Sequence, residues 1–273
     1  MTLADPSTPR ERADNTQGAI PAQRNVYAIA SGKGGVGKTW LSITLAQALA
    51  KKGLRVLLVD ADLGLANVDI QLGLMMERTL NKVLAGKTTL RQAATFFETG
   101  EFHIIAGLSG STSLANLPPV RLRTLARDLA LLSQDYDIVL LDLGAGVDRT
   151  VQMLSQAART CLVVTTDEPT ALTDAYAFIK LGQAQHPLLE TRIVVNMAKS
   201  VQEGQATYRT ILRACEGFLK LSPPLAGIVR RDSHVTDSIR KQAPLITRFP
   251  TCAAATDVIG IADMVETGLR RHE

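Results

Sequence analysis

The sequence predicts an α/β protein: a single doubly wound, mainly parallel sheet flanked by helices. Three observations predict it. Short apolar runs recur along the chain: VYAIA (26–30), RVLLVD (55–60), FHIIA (102–106), DIVLLD (137–142), CLVVTT (161–166), RIVVN (192–196) and LAGIV (225–229). Most are continuous rather than alternating, which marks strands covered on both faces. Between them lie stretches with apolar residues at helical spacing, and strand–helix alternation implies right-handed crossovers. Finally, aromatics are only 4% of a chain that is 46% hydrophobic, so Val, Ile, Leu and Ala must fill the core.

Taken in order, residues 1–24 are rich in Pro, Thr, Asn and charge and lack an apolar leader, which reads as a mobile polar tail before a domain at 25–273. After the first strand, WLSITLAQALAKKG is helical and closes on Lys-Lys-Gly, a good stop signal. RLRTLARDLALLSQ, TALTDAYAFIKLGQA, ATYRTILRACEGFLK and TDVIGIADMVETGLRR follow as helices, with no internal repeat and no second domain.

Composition excludes several functions. The net charge of +4 permits an anionic partner without demanding one. So few rings give no stacking platform for single-stranded nucleic acid. Cys161, Cys215 and Cys252 form no C-x-x-C pair and read as buried thiols of a reducing cytoplasm. They offer no support for zinc, redox chemistry or an iron–sulfur cluster. His103, His186, His234 and His272 form no spaced set, so no metal ligand is assigned among them. The apolar runs are too short to span a bilayer.

Ligands of such sheets sit beyond the carboxyl ends of the strands. Ser31, Asp60, Asp142, Thr166 and Asn196 each fall there. The stretch GKGGVGKT fits G-x-x-x-x-G-K-[ST] between a strand and a helix, the context a phosphate loop needs. Gly34, Gly35 and Gly37 allow backbone N–H groups to face phosphate oxygens, and the helix N-terminus adds positive charge. Lys38 can reach the β- and γ-phosphates, and Thr39 can bind Mg²⁺. Lys33, at the far end of the loop, is either a solvated lysine or a group that reaches a neighbour's phosphates; spacing leaves both open.

The motif K-G-G-x-G-K-T resembles the deviant Walker A sequence of the MinD/ParA ATPases, P-loop NTPases of the SIMIBI type, and the resemblance covers the chain from about Asn25 onward. It implies a slow, Mg²⁺-dependent ATP hydrolase in which Lys33 acts across an ATP-sandwich homodimer that ATP closes and hydrolysis opens. Gly32, Lys33, Gly34, Gly35, Val36, Gly37, Lys38, Thr39 and Trp40 then line ATP, with Trp40 reading as a packing residue. Lys33, Lys38 and Asp62 take the catalytic roles, Asp62 positioning water. Thr39, Asp60 and Asp142 support magnesium, Asp142 as the Walker B acid. Gly144 and Gly146 form switch II, where Leu143 and Gly144 depart from the usual Asp-Ser/Thr-Pro-Ala-Gly. Asn196 is placed on adenine, together with Arg230 and Asp232.

DADLGLANVD and DEPTALTDAYAFIK resemble the flagellar-number regulator branch, FlhG/FleN (YlxH). That likeness implies a role in flagellar number or placement, and as partners an FlhF-like GTPase, a flagellar C-ring protein or a flagellar transcription activator. Those relatives often carry an activating stretch resembling Asp-Gln-Ala-x-Gly-Leu-Arg, of which DNTQGAI here matches only at Asp14 and Gly18. The branch also implies a cytoplasmic protein that can sit peripherally at the inner membrane or cell pole. Here the closing apolar stripe, Val258, Ile261, Val265 and Leu269, reads first as a core-packing helix, leaving only a weak contact with anionic lipid. The competing functions are a MinD-type division-site regulator and a ParA-type DNA partition ATPase. The latter would use Arg209, Arg213, Lys220, Arg230, Arg231, Arg240 and Lys241, which scattered surface charge explains equally well.

Overall fold

A computed structural model describes residues 22–107 and 117–270. Most of the expected tail, with Asp14 and Gly18, lies outside the described residues. The strands are β1 (Gln23–Ser31), β2 (Val56–Ala61), β3 (Thr95–Phe97), β4 (Phe102–Ile105), β5 (Ile138–Ala145), β6 (Ala158–Thr165), β7 (Glu190–Ala198) and β8 (Leu225–Arg230). They form one sheet in the order β3-β4-β2-β5-β1-β6-β7-β8. All neighbours run parallel except β3 and β4. Each expected apolar run is a strand. The edge strand β3 was not foreseen, because three residues, TFF, are too short to show a period; its antiparallel ladder with β4 defines it.

The helices are α1 (Lys38–Ala50), α2 (Val68–Leu72), α3 (Leu80–Leu84), α4 (Leu90–Ala93), α5 (Pro119–Leu132), α6 (Arg149–Ser155), α7 (Pro169–Gln185), α8 (Val201–Ala214), α9 (Ser233–Arg240), α10 (Leu245–Arg248) and α11 (Ala253–Arg270). The expected helix at 206–220 instead starts at Val201, where the Ser200 hydroxyl accepts the Glu203 N–H at 3.1 Å. It ends at Ala214, and Cys215–Leu219 continue as a wider π turn.

Strand side chains alternate between two cores. Val26, Ala28 and Ala30 of β1 join residues of α5, α6, α7 and α8 on one face. Tyr27 and Ile29 join α1, α10 and α11 on the other. Helix α1 is buried on every side, its polar residues included. Its Gln47 amide donates to the Thr247 hydroxyl at 2.6 Å and accepts the Ile246 N–H at 3.2 Å, which satisfies a polar group in that setting and ties α1 to α10. Val258, Ile261 and Val265 of α11 are fully buried against this face, with Leu269 packed at its margin. The apolar stripe at the end of the chain therefore belongs to the core. Among the described residues no helix is long and apolar enough to cross a membrane.

Candidate nucleotide-binding site

Strand order turns back at β1, which lies between β5 and β6, so the loop after β1 opens at the crevice where ligands of such sheets bind. Gly35 and Gly37 take φ of 81° and 82°, a left-handed geometry that lets the loop curl and Gly37 cap α1. Neighbours wedge the loop in place. The Asn196 amide, buried at the end of β7, donates to the Val36 carbonyl at 2.8 Å. The Ser31 hydroxyl donates to the Lys33 carbonyl at 2.9 Å. A Cβ at Gly32 would collide with the backbone of Asp174 in α7.

Lys38 and Asp142 form the inner pair. The ammonium donates to Asp142 Oδ1 at 2.9 Å, with 7% and 0% of the two side chains exposed. The Ser42 hydroxyl donates to the same oxygen at 2.7 Å. Ser42 was missed in the sequence, although its place one turn after Lys38 was the available signal. Asp142 Oδ2 is buried without a hydrogen-bond partner among the described residues, although buried polar atoms almost always have one. Asp60 stands beside Asp142 in strand register. Its Oδ2 accepts the N–H groups of Asn67 at 2.9 Å and Val68 at 3.0 Å, fixing the start of α2. Burial first, and the neighbouring Asp142 second, push the Asp60 carboxyl up to about 7.

Asp62 Oδ1 accepts the N–H groups of Leu65 at 2.9 Å and Gly64 at 3.3 Å. It faces the end of β5, where a Cβ on Gly144 would lie 3.5 Å away. Gly146, at φ 104°, donates its N–H to the Ser31 carbonyl at 2.8 Å. The loops after β2 and β5 thus meet over the phosphate loop. The departure at Leu143 has a packing reason, since its side chain is wholly buried in the α5–α8 face. Oxygen donors and an orphaned carboxylate oxygen fit a hard divalent cation, which Thr39, Asp142 and Asp60 would hold.

The outer residues are placed differently. Trp40 buries its ring against Ile43 and Leu72, and its Nε1 has no partner among the described residues. Arg230 forks onto Asp257 at 2.8 and 2.9 Å, which ties β8 to α11. Asp232 accepts the N–H groups of His234 at 3.0 Å and Ala254 at 3.2 Å, and its carboxyl lies at about 2 because these bonds outweigh the opposing effect of burial, the largest single influence. A cleft of about 650 Å³ beside the loop is lined by Lys33, Gly34, Val36, Thr166, Glu168 and Arg231, so Arg231 rather than its neighbour Arg230 borders it. A cleft of about 690 Å³ at the opposite edge, between the strand starts and the end of α11, has no glycine loop. Lys33 donates to Glu168 Oε1 and to the Thr170 hydroxyl, each at 2.7 Å.

A backbone curl capped onto a buried helix, with one lysine reaching a strand-end carboxylate, is built to wrap phosphate. Fold and site together define a P-loop nucleotide-binding protein. The family model described as the CobQ/CobB/MinD/ParA nucleotide binding domain matches residues 27–245. The chain is 38% identical over 242 residues to "Antiactivator FleN" of Pseudomonas aeruginosa, covering 89% of this chain and 86% of that protein. It is 35% identical to "Flagellum site-determining protein YlxH" of Helicobacter pylori, covering 89% and 82%. The solved septum site-determining protein MinD from Pyrococcus horikoshii, complexed with Mg-ADP, superposes with a TM-score of 0.75 at 25% identity, covering 89% of this chain and 96% of that one. The chain belongs to the MinD/ParA nucleotide-binding family. It is a nucleotide-binding ATPase of that family.

Proposed function

We propose that this ATPase is a dimerising switch that regulates flagellar number or placement, with the domain at 25–273 carrying the switch and the 1–24 tail preceding it. The position of Lys33 carries the dimer reading. Lys38 already occupies the inner side of its own loop, while Lys33 stands on the rim with 33% of its side chain exposed, in an exposed pair with Glu168 that a second chain's triphosphate can displace. The likeness to FleN and YlxH over 89% of the chain supports the flagellar role.

In this reading the loop N–H groups and Lys38 bind the β- and γ-phosphates, and Lys33 of each chain neutralises charge that builds on the other's γ-phosphate. Thr39 and Asp142, with support from Asp60, would hold Mg²⁺, which would supply positive charge against the phosphates. Asp62 orients a water whose oxygen bonds to the γ-phosphorus as the bond to the β–γ bridging oxygen breaks, releasing ADP and inorganic phosphate. Arg231, on the rim of the cleft, borders the base, while Arg230 stays with Asp257 and Asn196 holds the loop through the Val36 carbonyl. An FlhF-like GTPase, a C-ring protein or a transcription activator reads the closed dimer. Any membrane contact is peripheral, because α11 keeps its apolar face in the core.

Light scattering after size exclusion tests the switch. The chain is expected to be monomeric in ADP and dimeric in ATP, and Asp62→Ala to stay dimeric. Monomers throughout would refute it. Restoring normal flagellar number to a strain lacking its FleN relative tests the flagellar role.

A further inference from the structure

The stretch DEPTALTDAY holds none of the residues assigned above to phosphate or metal, yet its start lines the cleft beside the loop. Lys33 donates to Glu168 Oε1 and Thr170 Oγ1 at 2.7 Å each, and these residues flank Pro169 at the first turn of α7. Gly32, the residue before Lys33, lies against the backbone of Asp174 and Ala175 one turn further on, too close for a Cβ. The lysine's base and its acceptors therefore belong to one rigid unit. Glu168 is the N-cap residue of α7, but its side chain makes no capping bond, so the carboxylate serves the lysine instead.

We propose that Glu168, helped by Thr170, is the positioning residue of Lys33: it holds the ammonium in the lone chain and competes for it with the triphosphate of a second chain. This rests on the dimer reading above and deepens it, because Glu168 then sets the protein concentration at which ATP-loaded chains pair. An exposed ion pair is weak and readily exchanged. A polyphosphate in a closed interface carries more charge in a drier setting, so it wins the ammonium once two chains meet. A symmetric dimer contains two copies of Glu168, so its hold on the ammonium counts twice.

Glu168→Gln keeps the shape and an acceptor oxygen but removes the charge. Sedimentation of the full chain at saturating non-hydrolysable ATP analogue and Mg²⁺ would read the concentration of half-dimerisation. Glu168→Gln is expected to lower it by about two- to thirtyfold, the square of one exposed pair's worth. Thr170→Val should shift it the same way by less. Lys33→Ala and Lys33→Ala/Glu168→Gln should both stay monomeric, since Glu168 acts only through the lysine. If the wild type pairs and Lys33→Ala does not, but Glu168→Gln pairs at the same or a higher concentration, the positioning role is overturned while the dimer reading stands. A double variant that dimerises also overturns it. A wild type that stays monomeric, or a Lys33→Ala that pairs like wild type, overturns both.

Discussion

Two lysines five residues apart in one loop meet opposite surroundings. Lys38 is 7% exposed and bonded to a carboxylate that is not exposed at all, whereas Lys33 is 33% exposed and paired with a carboxylate that is 56% exposed. A buried pair is costly to break, because each charge left alone lacks solvent. A rim pair is screened by water and exchanges its partner at little cost. In the proposed switch the inner lysine stays at its own chain's phosphate seat, and the outer one passes to another chain. Identical charges become a structural element and a movable contact through burial alone.

The largest break of this contrast is Lys38→Ala. It should abolish nucleotide binding, measured with a fluorescent ADP analogue, and destabilise the nucleotide-free chain by about 3–5 kcal/mol, because Asp142 is left as an unpaired buried charge. Lys33→Ala should spare nucleotide binding, abolish ATP-driven pairing and cut turnover by about 10³-fold, the scale of a cation supplied in trans. Normal pairing and hydrolysis by this variant would erase the distinction between the lysines. Asp62→Ala should reduce phosphate release by about 10²-fold while dimers accumulate in ATP; dimers that dissociate at the wild-type rate would refute the water-positioning role.

A smaller effect lies in pH. The folded carboxyl of Asp60 is raised from 3.8 to about 7, so the folded state keeps a proton that the unfolded chain releases earlier. Its contribution to stability is fully present below about pH 4 and is lost as pH rises through about 7. In thermal melts of the nucleotide-free chain, the difference between wild type and Asp60→Asn should therefore fall across that window. Mg²⁺-ATP, which favours the ionised form, should flatten it. The smallest effect should come from Trp40→Phe. Losing an unpartnered buried N–H offsets the lost ring volume, and stability should change by no more than about 1 kcal/mol in urea titrations.

Much of the site was legible because its elements are local in sequence. The glycine loop, Lys38 and Thr39 lie between a strand and a helix that each announce themselves, and Asp60 and Asp142 close apolar runs. Glu168 was not legible as a site residue, because it pairs with a lysine from another element, and Ser42 had only the faint signal of its place one turn after Lys38. Asn196 was legible as a strand-end amide, but its grip on the Val36 carbonyl was not, since nothing in RIVVN names a partner 160 positions away. The short helices α2, α3, α4 and α10 span at most five residues, less than two turns of any period, so no pattern betrayed them.

The sequence by itself determined the covered parallel strands, the phosphate loop and the membership of its chemistry, because continuous apolar runs and fixed glycine spacing act over a few neighbouring residues. Only the tertiary structure decided that α11 turns its apolar stripe to the sheet, that Asp142 meets Lys38 in a dry interior, and that Lys33 rests on α7. Burial and pairing are set by which elements the fold brings side by side, and local pattern carries no record of that.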